Sequence, residues 1–193
     1  MDKKRITGII LAGGKSSRMG KDKGLLELNG KTFMSRIIEA LEPVVDTIII
    51  VSNNSDYDVF NLKRVEDIIK DSGPLAGLFT GLFYSETENN IVLSCDVPLI
   101  NKLVLEELIN TFDSETVAIQ IESQGRTMPL VAMYKKQAMH VLLKQLQQGE
   151  RRLIVAIEKL NLKTLKLIPE LEQYVRNINT LQELKEIKHE FDH

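Results

Sequence analysis

Short apolar runs alternate with amphipathic stretches along the whole chain, and that rhythm predicts an α/β protein. Ile6 to Leu11 is a continuous apolar run closed by Ala12-Gly13-Gly14, the pattern of a buried strand ending in a turn. Asp46 to Val51, Lys63 to Val65, Asn90 to Ser94, Thr116 to Ile121, Pro129 to Tyr134 and Thr164 to Ile168 read as further strands. Between them, apolar positions recur at helical spacing. Thr32 caps a helix to about Leu41, with Phe33, Ile37, Ile38 and Leu41 on one face. Gly73-Pro74 opens a helix over about Leu75 to Tyr84, with proline in its favoured first turn. Asn101 to Phe112, Lys136 to Gln148 and Arg151 to Lys159 are three more. Thr180 caps a last helix that turns Leu181, Leu184 and Ile187 inward. Leu25 to Leu28 is a short extended piece turned by Asn29-Gly30.

Strands alternating with helices imply a largely parallel sheet covered on both faces. The predicted fold is a single three-layer α/β/α domain over residues 1–193, with a Rossmann-like, mostly parallel sheet. Such sheets bind ligands beyond the carboxyl ends of their strands. The polar loops after the first four strands are the natural place for one shared site.

Composition narrows the partners. Apolar residues make up 43% and charged residues 27%, enough for a core and an ordinary surface, and the net charge is −2. A balance so close to zero excludes broad nucleic-acid or membrane binding. The single cysteine, Cys95, cannot form an intramolecular disulfide and fits a reducing compartment. The apolar run after Arg5 is too short for a signal-peptide core or a membrane span. A cytoplasmic protein is expected.

The loop from Gly13 to Lys23 carries the most chemistry. Adjacent Gly13 and Gly14 let the backbone come close to a ligand and point N–H groups at it. Lys15, Arg18, Lys21 and Lys23 crowd into the same loop. Backbone donors with clustered cations suit a polyphosphate. Neither a Walker A loop nor a dinucleotide fingerprint is present, because the spacing of Gly8, Gly13, Gly14 and Gly20 fits neither. Asp96 follows a buried strand and precedes Val97-Pro98, where proline ends the strand. Its carboxylate is placed to hold Mg²⁺, which needs only one or two carboxylates when phosphate oxygens and waters complete its shell. Asp67 closes another strand-like stretch. Gly77 and Gly81 read as packing glycines, and Gly73 as packing or functional. His140, His189 and His193 are scattered, and Cys95 reads as inert packing. No Ser-His-Asp or Cys-His arrangement emerges. Phosphoryl-type chemistry does not require one, since positioning and charge stabilisation carry most of it.

These residues resemble a known family. Leu11-Ala12-Gly13-Gly14-x-Ser16-x-Arg18-Met19-Gly20 followed by Asp22-Lys23 resembles the signature of sugar-phosphate and cofactor nucleotidyltransferases. Five later segments are similar to molybdenum cofactor guanylyltransferases: Asp22-Lys23-Gly24-Leu25-Leu26-Glu27-Leu28, Gly73-Pro74-Leu75-Ala76-Gly77, Cys95-Asp96-x-Pro98, Gly149-Glu150-Arg151-Arg152 and Asn177-x-Asn179-Thr180. The resemblance runs from about residue 6 to residue 186. It implies the nucleotide-diphospho-sugar transferase type of fold, with a GTP- and Mg²⁺-binding N-terminal part and a pterin-binding C-terminal part. It implies transfer of GMP from GTP to the terminal phosphate of molybdenum-bearing molybdopterin. Leu11, Ala12, Gly13, Gly14, Lys23, Asp67 and Asp96 would then contact GTP. Lys23, Arg18 and Asp96 would be catalytic, and Asn177, Asn179 and Arg151 would face the pterin. Either of Asn53 and Asn54 is open as a contact to the base. Transient contacts with other proteins of molybdenum cofactor biosynthesis are a further expectation. The rival expectations are a transferase using CTP or a sugar or polyol phosphate, and a non-catalytic nucleotide-binding regulator.

Overall fold

The structure, a computed structural model, describes residues 5–13 and 22–191. The first strand, β1, is Ile6–Leu11, buried at all its positions. A 3-10 turn over Lys23–Leu25 follows, taking only Leu25 from the extended piece expected over Leu25 to Leu28. A small hairpin pairs β2 (Glu27–Leu28) with β3 (Lys31–Thr32). Asn29 and Gly30, both at positive φ, make its turn, as an Asn-Gly pair does. Helix α1 (Phe33–Leu41) starts where Thr32 accepts the Ser35 N–H, the expected cap. Strand β4 is Thr47–Val51, followed by an unforeseen 3-10 stretch, Ser55–Phe60. Strand β5 (Lys63–Val65) leads to helix α2 (Gly73–Tyr84) and strand β6 (Asn89–Ser94). Helix α3 (Lys102–Thr111) is capped by Asn101. Strands β7 (Ala118–Ser123) and β8 (Arg126–Lys135) form a hairpin whose turn uses Gln124 and Gly125 at positive φ. Helices α4 (Ala138–Gln147) and α5 (Leu153–Ile157) lead to strand β9 (Leu162–Lys166). Helices α6 (Pro169–Glu172) and α7 (Leu181–Phe191) complete the chain.

The main sheet has seven strands in the order β5-β4-β1-β6-β8-β7-β9. Only β8 runs against the rest, because it is antiparallel to both β6 and β7 while the other neighbours pair in parallel. Alternate residues of each strand point to opposite faces, and the core divides accordingly. Ile6, Ile10, Ile48, Ile50, Ile91 and Leu93 pack with α1 and α3. Ile9, Leu11, Ile49, Val51 and Val92 pack with α2, α4 and α5. A smaller cluster joins Leu26, Leu28 and Phe33 to Ile178, Leu184 and Ile187 of the C-terminal segment. Three layers were therefore the right reading. Leu181 departs from it: the residue is 50% exposed, and only Leu184 and Ile187 of the predicted inner face are buried. Leu181 opens α7, ahead of the two residues that join the cluster with Leu26, Leu28 and Phe33.

Gly81 packs as expected, since a Cβ there would overlap Cγ2 of Ile9. Gly77 is looser, since a Cβ would stand 3.6 Å from Leu11 and 3.7 Å from Oδ1 of Asp67. Among the described residues no helix is long and apolar enough to cross a membrane.

Candidate active site

Four strands deliver four residues to one edge by register alone. Leu11 is level with Val51 on one side and Ser94 on the other, and Val51 is level with Val65. Two residues beyond that row stand Gly13, Asn53, Asp67 and Asp96. The ladder continues past the strand ends through Ala12 N–H to Val51 (2.9 Å), Ser52 N–H to Val65 (2.9 Å) and Cys95 N–H to Leu11 (3.1 Å). The loops thus start side by side. The chain moves from β1 to β4 and β5 on one side, then returns to β6 on the other. That reversal opens the crevice between β1 and β6 where such sheets take ligands. Gly13 and Asp96 flank it.

The ladder also limits which amides a ligand can use. The Ala12 N–H is spent on Val51, and the side chains of Leu11 and Ala12 are buried. Gly13 is exposed, with open space where a Cβ would be. Gly13 is thus the first exposed residue after the strand. Gly14, Arg18 and the other loop cations Lys15 and Lys21 lie outside the described residues.

Lys23 sits at the centre. Its Nζ donates to Oδ1 of Asn179 at 2.7 Å and lies 3.9 Å from Oδ2 of Asp96. A capping box holds Asn179 in place: Glu183 Oε2 accepts the N–H groups of Asn179 (2.6 Å) and Thr180 (2.9 Å), and Thr180 Oγ1 accepts that of Glu183 (3.1 Å). The Asn179 N–H, first among these donors, holds the Glu183 carboxyl below its usual range. The Ile178 N–H donates to the Asp96 carbonyl at 2.8 Å, so the two segments are clamped by backbone as well.

Asp96 Oδ1 is buried and has no hydrogen-bond partner among the described residues. An ionised oxygen left so is costly and is suited to an external cation. Among the described residues no group of three or more His, Cys, Asp or Glu side chains surrounds a common point. A metal at Asp96 would therefore take most of its ligands from substrate and water, as Mg²⁺ does. Neighbouring Cys95 is buried, and burial first, then the Asp96 charge, pushes its thiol up to about 12. It is inert packing.

Asn53 and Asn54 separate cleanly. Asn53 and Asp67 exchange two hydrogen bonds: Asp67 N–H to Asn53 Oδ1 (3.0 Å) and Asn53 Nδ2 to Asp67 Oδ2 (3.3 Å). Asn54 turns the other way and donates to Asp22 Oδ2 (3.2 Å). Oδ1 of Asp67 is buried and has no partner among the described residues. Burial raises the Asp67 pKa, and the Asn53 bond offsets only part of it.

A cavity of about 620 Å³ adjoins the crevice. Asp96 and Asn177 line one side, with Met128, Leu130, Arg152 and Ile154 on others. Its apolar walls and few polar groups are those of a small-molecule site. Arg151, the arginine expected here, is not part of the wall. Its Nη1 donates to the carbonyls of Leu146 (3.0 Å) and Glu150 (2.9 Å). Arg152 takes the place at the cavity, its guanidinium held by Glu150 through Nε (3.0 Å) and Nη2 (2.9 Å). Sequence spacing could not rank two adjacent arginines whose directions depend on how α5 begins.

Comparison with known proteins places the chain among relatives. The family model described as "MobA-like NTP transferase domain" matches residues 8–161. A protein of Flavobacterium johnsoniae named "Probable molybdenum cofactor guanylyltransferase" is 34% identical, over 94% of this chain and 96% of its own. The "Molybdenum cofactor guanylyltransferase" of Vibrio campbellii is 33% identical, over 91% of each. A crystal structure of molybdopterin-guanine dinucleotide biosynthesis protein A from Archaeoglobus fulgidus has the same fold, with a TM-score of 0.81 at 23% identity over 96% of this chain and 98% of that one. With its strand ends, lysine and aspartate gathered at one crevice and these relatives matched nearly end to end, the chain belongs to the family of MobA-like NTP transferase domains.

Proposed function

We propose that the protein transfers GMP from GTP to the terminal phosphate of molybdenum-bearing molybdopterin, releasing pyrophosphate and forming the guanine dinucleotide cofactor. The observation that carries this reading is the placement of Lys23 between Asp96 and Asn179, with the cavity opening beside Asp96. A nucleotide crevice and an acceptor cavity then share one wall.

In this reading an oxygen of the pterin phosphate attacks the α-phosphorus of GTP. The bond from that phosphorus to the β-bridging oxygen breaks, and pyrophosphate leaves. The attacking oxygen is already anionic near neutral pH, so no base is needed. Lys23 leaves its partners to meet charge growing on the α-phosphate and leaving group. Gly13 and the loop after it donate backbone N–H groups to phosphate, and Arg18 assists from the same loop. Asn53 and Asp67 hold the nucleoside end, with Asp67 Oδ1 offering an acceptor to the N–H groups of guanine. Asn177 and Arg152 face the pterin, while Asn179 orients Lys23 from that side. The uncapped start of α2, with Pro74 on the cavity wall, adds a favourable field for anions. Mg²⁺ would be held by Asp96 and would neutralise phosphate charge when bound. The N-terminal part thus serves the nucleotide and the C-terminal part the pterin. The protein works in the cytoplasm, where Cys95 stays a thiol, with only transient contacts to other proteins of cofactor biosynthesis.

The decisive experiment offers molybdenum-bearing molybdopterin with either GTP or CTP, in Mg²⁺, and follows pyrophosphate. Turnover with GTP, at least about tenfold above CTP, is expected. Turnover with CTP alone would overturn the guanylyl assignment.

A further inference from the structure

Asp22 ties three parts of this site together, although no chemical step above uses it. It precedes Lys23 and caps the 3-10 turn that presents the lysine, its Oδ1 accepting the Gly24 N–H at 3.2 Å. The same oxygen accepts the phenol of Tyr57. Its Oδ2 accepts Nδ2 of Asn54 at 3.2 Å. Tyr57 is wholly buried, within the core cluster on the α1 and α3 face. Its ring lies so close to Gly24 that a Cβ there would stand 2.9 Å from Cε1 and 3.0 Å from Cζ. Asn54 is itself fixed, its N–H donating to Ser52 Oγ (3.1 Å) and its Oδ1 accepting the Asp56 N–H (2.9 Å). The next residue back, Asn53, carries the paired bonds to Asp67.

A carboxylate one residue from a lysine is a rival for its ammonium. Here both Asp22 oxygens are occupied by donors from elsewhere. Lys23 reaches instead to Asn179 and Asp96 and, among the described residues, makes no ion pair with Asp22. A buried phenol aimed at a carboxylate is unusual unless its position matters, since a phenylalanine would fill the same space without a polar atom to satisfy.

We propose that Asp22, held by Tyr57 and Asn54, is a positioning residue that keeps its own charge away from Lys23 and couples the lysine's turn to the loop that carries Asn53. The proposal deepens the transferase reading and rests on it for its kinetic consequence. Tyr57 acts through Asp22, and Asp22 through Lys23. Gly24 is required because the phenol occupies the space a side chain would need.

The test compares the wild-type protein with Tyr57→Phe, Asp22→Asn and the double variant, using two readouts. One is the rate at which Lys23 is acylated by acetic anhydride without nucleotide, followed by peptide mass spectrometry with Lys31 as internal reference. The other is kcat and KM for GTP. In Tyr57→Phe the freed carboxylate draws Lys23 into an ion pair that shields its Nζ, so acylation of Lys23 slows about threefold or more relative to Lys31. There kcat falls about tenfold while KM for GTP stays within about twofold. In Asp22→Asn no rival charge exists, so acylation of Lys23 is not slowed, and adding Tyr57→Phe changes it no further. Wild-type acylation and kcat in Tyr57→Phe, even with a lowered melting temperature, would overturn the proposal and leave the phenol as packing. A wild-type protein that transfers no GMP would sink the transferase reading, while the acylation arm would still decide the role of Asp22.

Discussion

Asp67 shows how a single residue can be set against the fold that holds it. One of its oxygens is buried with no partner among the described residues, and burial raises its pKa above the ordinary aspartate value. A carboxyl group raised in this way favours folding while protonated and loses that contribution as pH rises through its folded pKa. At neutral pH its charge is therefore a cost. We predict that Asp67→Asn stabilises the protein at neutral pH by up to about 1 kcal/mol, a figure already reduced for solvent screening of a half-exposed group. The gain should vanish in acid, once pH has fallen through the raised folded pKa and below the unfolded value. Denaturant unfolding at the two pH values measures it, and the same variant should hold GTP less well. A wild type more stable than the variant at neutral pH would show that Asp67 serves the fold and not the ligand.

At the scale of elements, the capping box at the start of α7 does two jobs. It closes the helix, and it pins the Asn179 backbone so that the side chain reaches Lys23. Glu183→Ala should cost about 1 kcal/mol, the usual value of a helix cap, read as a fall in melting temperature. The capping contribution is present above the unfolded pKa of Glu183 and is lost as pH falls through the depressed folded value. The stability difference between the variant and wild type should therefore shrink in acid. A constant difference across pH would assign the loss to packing of α7 rather than to its cap. Thr32 and Asn101 cap α1 and α3 in the same way. Those caps lie in plain view in the sequence because they join residues three apart.

For the whole molecule, the sheet brings Gly13, Asp67 and Asp96 to one edge, so a ligand bound there should stabilise the fold by mass action. With Mg²⁺ and GTP at about one hundred times its dissociation constant, stability should rise by about 2.7 kcal/mol. The rise appears as a shift in melting temperature. In Asp96→Ala the apo protein should melt near the wild type, because the lost carboxylate has an orphaned oxygen in the fold. The Mg²⁺-dependent part of the GTP shift should disappear. An undiminished Mg²⁺-dependent shift would remove Asp96 from the metal site.

The elements themselves were legible along the chain, since apolar runs, caps and Asn-Gly turns act over a few residues. The Gly13 loop and Asp96 stood out for the same reason, each beside the end of an apolar run. The unforeseen 3-10 stretch at Ser55–Phe60 has a cap at Asn54 but no apolar run, and the fit of Tyr57 into the core marks its importance. Other matters belonged to the tertiary structure alone. The direction of β8, the choice of Asn53 over Asn54 beside Asp67, and the place of Arg152 rather than Arg151 at the cavity all depend on how distant segments meet. The bond from Lys23 to Asn179 spans 156 residues of sequence. Local pattern tells a residue which way to face within its own element. Register between strands decides what it faces, and that is set by packing the entire sheet at once.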